Sequence, residues 1–255
     1  MNSYSITNIG KRRSSNEDYV FSSDTAVGSL PNLYVVADGM GGHQAGDYAS
    51  RYTVTRLVDL VRTSTRSDAQ ELLGRALSEV NREVRTIAAA NAQYLGMGTT
   101  VVAATVRGGE LLAVNVGDSR LYLYRAADKA LRQVTVDHSL VEEMVLAGGI
   151  GQEDARRHPD KNIITRAVGA EDGLRPDFFT AALTEGDLVL LCTDGLTNML
   201  EDKQIAAVLS GQETIADKAA ALVQAANENG GRDNITVTLV DPFSQSRAVT
   251  EDVHD

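Results

Sequence analysis

LYVVADGMGGHQAG, residues 33–46, joins an apolar run to a carboxylate and then to a glycine-rich turn with one histidine. The run of residues 33–37 predicts a buried strand. Asp38-Gly39 alone would be enough to end that strand, because Asp-Gly is a favoured turn pair. The additional glycines and His43 exceed what a turn requires, which indicates that this strand end has a second, chemical role.

A carboxylate lies at the edge of an apolar run at several other places in the chain. Each case taken alone indicates only a turn. The carboxylates in this position are Asp38, Asp118, Asp194, Asp233 and the pair Glu17-Asp18. If these points met at one edge of a sheet sandwich, their charges would converge and repel one another. Divalent cations would relieve that repulsion, so the repetition predicts a metal site.

The available donor atoms narrow the choice of metal. Carboxylate oxygens suit Mg²⁺, Mn²⁺ or Ca²⁺. Zinc is disfavoured because the chain has no Cys/His cluster. The histidines are His43, His138, His158 and His254. No EF-hand pattern is present, which argues against a calcium loop.

Length and composition are typical of a globular protein. The 255 residues suffice for one large domain or two small ones, and 43% of them are apolar. The formal net charge of −11 argues against broad binding to nucleic acid or to an anionic membrane. The single cysteine, Cys192, excludes an intramolecular disulfide. Since the sequence shows neither a signal-peptide core nor a membrane span, we expect a soluble cytoplasmic protein.

The periodicity of apolar residues predicts strands and helices in an order that defines the fold class. The predicted strands are residues 33–37, 99–106, 111–116, 121–124, 187–193 and 235–240. The predicted helices are residues 46–62, 67–92, 140–147, 202–209 and 215–227. Ser67 and Gln70 resemble a capping box at the start of the second helix. Because two helices precede a block of strands, the order favours an α+β fold with layered antiparallel sheets over a doubly wound parallel sheet.

Two segments fall outside this regular pattern. Residues 148–176 are polar, carry both charge signs and predict a surface excursion with one short helix. Residues 242–255 follow the last predicted strand without periodicity and predict a flexible C-terminal tail. Because no internal repeat or interdomain linker is visible, we expect one domain over residues 1–241.

A series of short motifs resembles the bacterial type 2C metal-dependent protein phosphatases, the PPM family. In chain order the motifs are NEDYV, VVADGMGGHQAG, MGTT, NVGDSRLY, TVDHS, LLCTDGL and GGRDNITV. The resemblance covers about residues 6–240. It implies a four-layer α-β-β-α sandwich, in which two antiparallel sheets are flanked by helices, and it identifies residues 148–176 as a flap beside the active site. Many relatives have Asp at the position of Asn8. This difference affects the packing of a local loop and not the metal ligands.

The resemblance also implies a cofactor and roles for individual residues. The cofactor would be a pair of Mn²⁺ or Mg²⁺ ions, with a weaker third ion. The implied ligands of the ion pair are Asp38, which would bridge both ions, the Gly39 carbonyl, Asp194 and Asp233. Asp18 would bind through a water, with Glu17 beside it. Asp118 would be a ligand of the third ion. Arg13 would grip the phosphoryl group through two parallel hydrogen bonds. His43 would be the general acid.

The implied reaction is hydrolysis of phosphoserine or phosphothreonine in proteins. The two cations would lower the pKa of a shared water, which would attack phosphorus while His43 protonates the leaving alkoxide. The implied partners are phosphorylated proteins, including a bacterial Ser/Thr protein kinase and its targets, and we expect a monomer. The alternative is a non-catalytic phosphoprotein-binding relative of the same fold, although all the implied metal ligands are present.

Other chemistries fit the sequence less well. A cysteine phosphatase needs an Arg six positions after its nucleophile, but the residue six positions after Cys192 is Asn198. Cys192 is better interpreted as a buried strand thiol. Residues 33–60 have the strand, glycine-rich loop and helix of a dinucleotide-binding fold. However, if Gly39 is the first glycine of G-x-G-x-x-G, the position of the last glycine is occupied by Gln44, so the motif is not matched. No Walker A pattern occurs.

Overall fold

Two antiparallel sheets form the centre of the protein, which we describe from a computed structural model in which residues 1–244 are defined. In chain order the strands are β1 (Asn2–Asn8), β2 (Asp18–Ser23), β3 (Leu33–Met40), β4 (Gly98–Thr99), β5 (Val101–Arg107), β6 (Glu110–Val116), β7 (Arg120–Arg125), β8 (Ala130–Gln133), β9 (Asp177–Ala182), β10 (Leu188–Cys192) and β11 (Ile235–Asp241). The five-stranded sheet has the order β1-β11-β10-β7-β8. The six-stranded sheet has the order β2-β3-β5-β6-β9, with β4 paired to β3.

Helices cover the outer faces of both sheets. In chain order the α-helices of the described residues are α1 (His43–Thr63), α2 (Ala69–Ala90), α3 (Leu140–Leu146), α4 (Gln152–Arg157), α5 (Asp194–Thr197), α6 (Asp202–Leu209) and α7 (Ile215–Glu228). Apolar residues of α1 and α2 pack against the six-stranded sheet, and those of α6 and α7 pack against the five-stranded sheet. Within residues 1–244, no helix is both long and apolar enough to span a membrane.

The central strands are apolar on both faces because each faces helices on one side and the other sheet on the other. In β3, Leu33, Val35 and Ala37 belong to the core beneath α1 and α2. Tyr34 and Val36 point the opposite way, into the core between the sheets. Successive side chains of a strand alternate between its faces, so a strand buried on both sides has a continuous apolar sequence. This explains the apolar run at residues 33–37.

β10 is buried in the same way and fixes the environment of the single cysteine. Leu190 and Cys192 face the helices, whereas Val189 and Leu191 face the other sheet. Cys192 is fully buried, and burial raises the pKa of its thiol to about 12. The thiol is therefore protonated and inaccessible, as the sequence predicted for a strand cysteine.

The strands and helices that the sequence predicts all occur, with shifted ends, but one predicted cap is wrong. Residues 99–106 are divided into the short β4 and the longer β5. Ser67 and Gln70 do not cap α2: the N-cap is Asp68, whose Oδ1 accepts a hydrogen bond from Glu71 N–H at 2.6 Å. Asp68 takes this role because the helix begins at Ala69, two residues later than predicted.

Four strands that the sequence does not predict are the four edges of the sheets. They are β1, β2, β8 and β9. An edge strand has one neighbour and is partly exposed, so its sequence mixes polar and apolar residues and gives a weak pattern.

The short helix expected within residues 148–176 is α4. The predicted C-terminal tail lies, from position 245 onward, outside the described residues.

Leu190→Ala tests the packing between the five-stranded sheet and its helices. We expect the free energy of unfolding to fall by about 2–5 kcal/mol, because the substitution leaves a cavity where the side chain is now fully buried. Urea unfolding at equilibrium measures the change. The control is Leu146→Ala, since Leu146 is 71% exposed and should change the free energy by only about 0.5 kcal/mol. Equal losses in the two variants would contradict tight packing on this face.

Candidate metal centre

The strand register places the predicted carboxylates at one end of the sandwich. Asp18 begins β2 and lies opposite Asp38 of β3. Asp118 comes just after β6, so the six-stranded sheet carries three of the carboxylates. Asp194 begins α5 just after β10, and Asp233 comes just before β11, so the five-stranded sheet supplies the other two. The structure therefore brings together carboxylates from both sheets that the sequence separates by up to 215 residues (233 − 18).

Asp18 is buried between the two sheets, with 5% of its surface exposed. Its Oδ2 accepts hydrogen bonds from Thr193 Oγ1 at 3.0 Å and from Thr236 Oγ1 at 2.7 Å, both contributed by the five-stranded sheet. Its Oδ1 is buried and has no hydrogen-bond partner among the described residues. One oxygen thus fixes the carboxylate, and the other is available to a ligand.

Asp194 has the same arrangement. Asn198 Nδ2 donates to Asp194 Oδ2 at 2.8 Å, whereas the buried Oδ1 has no hydrogen-bond partner within residues 1–244. A buried carboxylate oxygen without a donor costs free energy until a cation or water satisfies it. Groups of carboxylate oxygens are the ligands that Mg²⁺ and Mn²⁺ prefer. The residues present therefore fit divalent cations.

Burial and like charge act together on these carboxylates. The pKa of Asp38 is raised well above its usual range, mainly by burial and to a smaller extent by the charges of Asp18 and Asp194. Burial and neighbouring carboxylates outweigh the threonine hydrogen bonds and raise the pKa of Asp18 to about 7. Burial and the charge of Asp233 raise the pKa of Asp194 to about 6. Within the described residues, no group of three or more His, Cys, Asp or Glu side chains is already arranged to hold a metal ion.

Gly39 lets β3 pack closely against the backbone of Glu17 and Gly46, where a side chain could not fit. A Cβ atom at this position would lie 2.1 Å from the carbonyl oxygen of Gly46 and 2.7 Å from that of Glu17. Gly39 N–H donates to the Glu17 carbonyl at 3.0 Å, and Asp38 N–H donates to Thr100 Oγ1 at 2.9 Å. Glu17 is itself 4% exposed and lies next to Asp18, as predicted. The backbone around Asp38 is therefore held at fixed points.

A cleft of about 380 Å³ opens onto the carboxylates and is lined in part by Arg13. The Arg13 side chain is 41% exposed, and its Nη2 donates to Asp233 Oδ2 at 2.8 Å. The other donors of the guanidinium can face a phosphoryl group in the cleft. His43 begins α1 next to the same glycine-rich turn, but its side chain is outside the described part of the structure, so its role stays a prediction.

A second cleft, of about 460 Å³, lies beneath the segment 148–176. Asp118 and Asp194 line both clefts, which are therefore connected at the carboxylates. Lys161 of the segment donates to Asn198 Oδ1 at 2.8 Å, and Asn198 in turn binds Asp194. The segment expected to act as a flap thus forms a wall of the site.

Neutral residues that hold the carboxylates in place were not predicted from the sequence. Asn234 is 2% exposed, accepts from Glu17 N–H at 2.9 Å and donates to the carbonyl oxygens of Ile9 and Ser15 at 3.0 and 2.9 Å. The others are Thr193, Thr236 and Asn198. The signal available in the sequence is weak: each lies within four residues of a strand-end Asp.

The comparisons with known proteins agree with this geometry. The family model for protein phosphatase 2C matches residues 10–239. This chain belongs to the protein phosphatase 2C family. The serine/threonine phosphatase stp of Listeria monocytogenes is 42% identical to it over 213 residues, which is 82% of this chain and 84% of that protein.

Solved structures support the same conclusion for the fold of the phosphatase. A serine/threonine phosphatase from S. agalactiae is 39% identical and superimposes with a TM-score of 0.86, covering 93% of this chain and 98% of that one. The catalytic domain of the phosphatase PstP, solved in complex with 2 manganese ions, is 32% identical with a TM-score of 0.82, covering 94% and 97%. The predicted family, sandwich fold and phosphatase function are confirmed, and the non-catalytic alternative is not favoured.

Asp38→Asn tests the repulsion within the carboxylate cluster. In the metal-free phosphatase we expect this variant to unfold about 2 °C or more above the wild type, because it loses one of several buried like charges. Thermal unfolding in EDTA at neutral pH measures the difference. Asp59→Asn, at an α1 carboxylate whose side chain is 53% exposed, is the control and should leave the unfolding temperature unchanged. An Asp38→Asn variant no more stable than the wild type would mean that the repulsion is negligible.

Proposed function

We propose that this phosphatase hydrolyses phosphoserine and phosphothreonine in proteins with two Mn²⁺ or Mg²⁺ ions bound at the end of the sandwich. The proposed ligands are Asp18 through water, Asp38, the Gly39 carbonyl, Asp194 and Asp233, with Asp118 at a weaker third ion. Arg13 is the proposed phosphate-binding residue, and His43 is the proposed general acid. The family of the chain supports the reaction class, and the neighbour solved with manganese supports the choice of metal.

One observation carries the proposal for the metal site: Asp18 and Asp194 each present a buried oxygen that has no hydrogen-bond partner within the described residues. In both residues the second oxygen is bound by neutral donors, which orient the carboxylate without cancelling its charge. An apolar or purely structural site would pair both oxygens. The unpaired oxygens, together with the repulsion around Asp38, favour cations as the missing partners.

The residues around the cleft divide the work of the reaction. When bound, the cations supply Lewis-acid activation of the attacking water and offset charge on the phosphoryl oxygens. Arg13 binds the phosphoryl group in a fixed orientation through its planar donors. His43 donates the proton that the leaving serine or threonine oxygen requires. Gly39 lets the backbone that follows Asp38 pack against the backbone of Glu17 and Gly46, which holds its carbonyl in place.

The substrates of a phosphatase of this family are phosphorylated proteins. We propose more specifically that they include a Ser/Thr protein kinase and its targets, and that the phosphatase acts as a cytoplasmic monomer. These points follow from the resemblance to compact bacterial members of the family.

Hydrolysis of a phosphothreonine peptide by metal-stripped protein tests the proposed function. We expect Mn²⁺ or Mg²⁺ to restore turnover and Ca²⁺ to restore much less, because the site must activate water as well as bind oxygen ligands. Asp38→Asn should lower the restored activity by about 10²-fold or more and abolish the rise in unfolding temperature that Mn²⁺ produces in the wild type.

The same exposed carboxylate as above, Asp59, provides the control. Asp59→Asn should keep both the turnover and the Mn²⁺-dependent thermal shift. If no ion restores turnover while the wild type still binds the phosphopeptide, the protein is a phosphoprotein-binding module and the proposed function is wrong.

A further inference from the structure

The turn that carries Asp118 is held by a buried histidine to which the proposed reaction gives no role. His138 is 4% exposed and lies between β8 and α3. Its backbone N–H donates to the carbonyl oxygen of Gly117 at 3.0 Å. In return, Gly117 N–H donates to Nδ1 of the imidazole at 3.1 Å. Two reciprocal hydrogen bonds therefore fix the residue that directly precedes Asp118.

The second of these hydrogen bonds, from Gly117 N–H to the ring, determines the tautomer of the imidazole. Because Gly117 N–H points at Nδ1, that nitrogen is the acceptor, and the proton of the neutral imidazole is on Nε2. Nε2 lies 3.1 Å from Oδ2 of Asp177 and 3.2 Å from Nη1 of Arg166; because a guanidinium has no acceptor atom, Nε2 donates to Asp177. Asp177 begins β9, and its other oxygen accepts from Arg166 Nη1 at 3.1 Å. Asp177 thus fixes the ring orientation in which Nδ1 faces Gly117.

The other side of the same turn contacts the backbone of the proposed bridging ligand. Gly117 has a φ of +107°, and a Cβ atom there would lie 2.6 Å from Thr100 Cγ2, so the turn packs directly on Thr100. Thr100 Oγ1 lies 2.7 Å from Ser119 Oγ and accepts from Asp38 N–H at 2.9 Å. A continuous series of hydrogen bonds and packing contacts therefore runs from Asp177 through the turn to Asp38.

Electrostatic repulsion acts against the position of this turn. Burial, and then the charges of Asp194 and Asp137, raise the pKa of Asp118 well above its usual range. Rotation of the turn toward solvent would relieve this repulsion. The contacts of Gly117 with His138 oppose that rotation, since the hydrogen bonds would have to break first.

We propose that His138 and Asp177 are positioning residues of the phosphatase: Asp177 orients the imidazole, and the imidazole holds the Gly117-Asp118 turn so that the Asp118 carboxylate stays at the metal centre. The inference rests on the proposed function, because it assigns these residues to the weaker metal ion at Asp118. Neither residue touches the substrate. Their effect is on the affinity for that ion, in the way that partners of metal ligands commonly act.

The test compares three variants of the full chain. Asp177→Ala removes the group that accepts the hydrogen bond from Nε2, whereas Asp177→Asn keeps an acceptor oxygen there. Asp172→Ala is the control: its carboxylate is 88% exposed and pairs with Arg85. Calorimetric titration of metal-stripped protein with Mn²⁺ gives the affinity of each site. Turnover of a phosphothreonine peptide at limiting and at saturating Mn²⁺ gives kcat and KM.

We expect Asp177→Ala to weaken the weakest Mn²⁺ site by about tenfold and to leave the tighter sites unchanged. Its kcat should fall at limiting Mn²⁺ and recover at saturating Mn²⁺, with KM for the peptide unchanged. Asp177→Asn should restore most of the affinity, and Asp172→Ala should match the wild type. A residue that only stabilised the fold would not give a loss that excess metal corrects.

Three results would overturn the inference, and they are distinguishable from one another. If the wild type binds Mn²⁺ and turns over the peptide, but Asp177→Ala has the same affinity at every site, the positioning role is wrong and the proposed function stands. If the wild type itself neither binds Mn²⁺ nor hydrolyses the peptide, the proposed function fails and the inference fails with it. Equal losses in Asp177→Ala and Asp172→Ala would also contradict the inference, because Asp172 makes no contact with His138.

Discussion

Repulsion among five carboxylates at the junction of the two sheets is the constraint on which the rest of the structure depends. Each carboxylate comes from a different strand end, so neither sheet alone could assemble the cluster. Burial prevents water from screening the charges, and the raised pKa values of Asp18, Asp38 and Asp194 show the resulting strain on the ionised forms. Such an arrangement persists only where the surrounding fold is rigid enough to hold it.

The sandwich supplies that rigidity through three separate apolar cores, two under the helices and one between the sheets. Strands buried on both faces have little freedom to shift, because a slip of one residue would exchange the side chains of the two faces. The strand ends are therefore fixed points, and the short loops after them inherit that precision. Asp18 and Asp38 lie within β2 and β3, and Asp118, Asp194 and Asp233 lie within two residues of β6, β10 and β11, so the strands determine the position of each carboxylate.

The sequence was informative where chemistry and local pattern coincide, and uninformative where a role depends on distant contacts. Central strands such as β3 were predicted because they are continuous apolar runs, and Asp38 was found because it ends one. The four edge strands were missed because partial exposure weakens their pattern. Asn234 was missed for a different reason: it binds Glu17, which lies 217 residues earlier in the chain. No local pattern can indicate a contact across the two sheets. The N-cap of α2 is Asp68 and not the predicted Ser67, because helix propensity does not define a helix end to within one or two residues.

The choice of residues around the carboxylates follows from the need to hold them without neutralising them. Cationic side chains would orient a carboxylate well, but each would also cancel the charge that a metal ion needs. The direct partners of Asp18 and Asp194 are instead hydroxyl and amide groups. The guanidinium of Arg120 donates to Asp137 through two of its nitrogens, at 2.9 and 2.7 Å, and its charge offsets part of the rise in the pKa of Asp118 and Asp194 without a direct bond to either. Arg13 is the exception, and its place at the exposed mouth of the cleft fits a residue whose second partner is an anionic substrate. Neutral donors inside the cluster and a cationic side chain at its entrance are the arrangement that the proposed binding of metal ions and of phosphate requires.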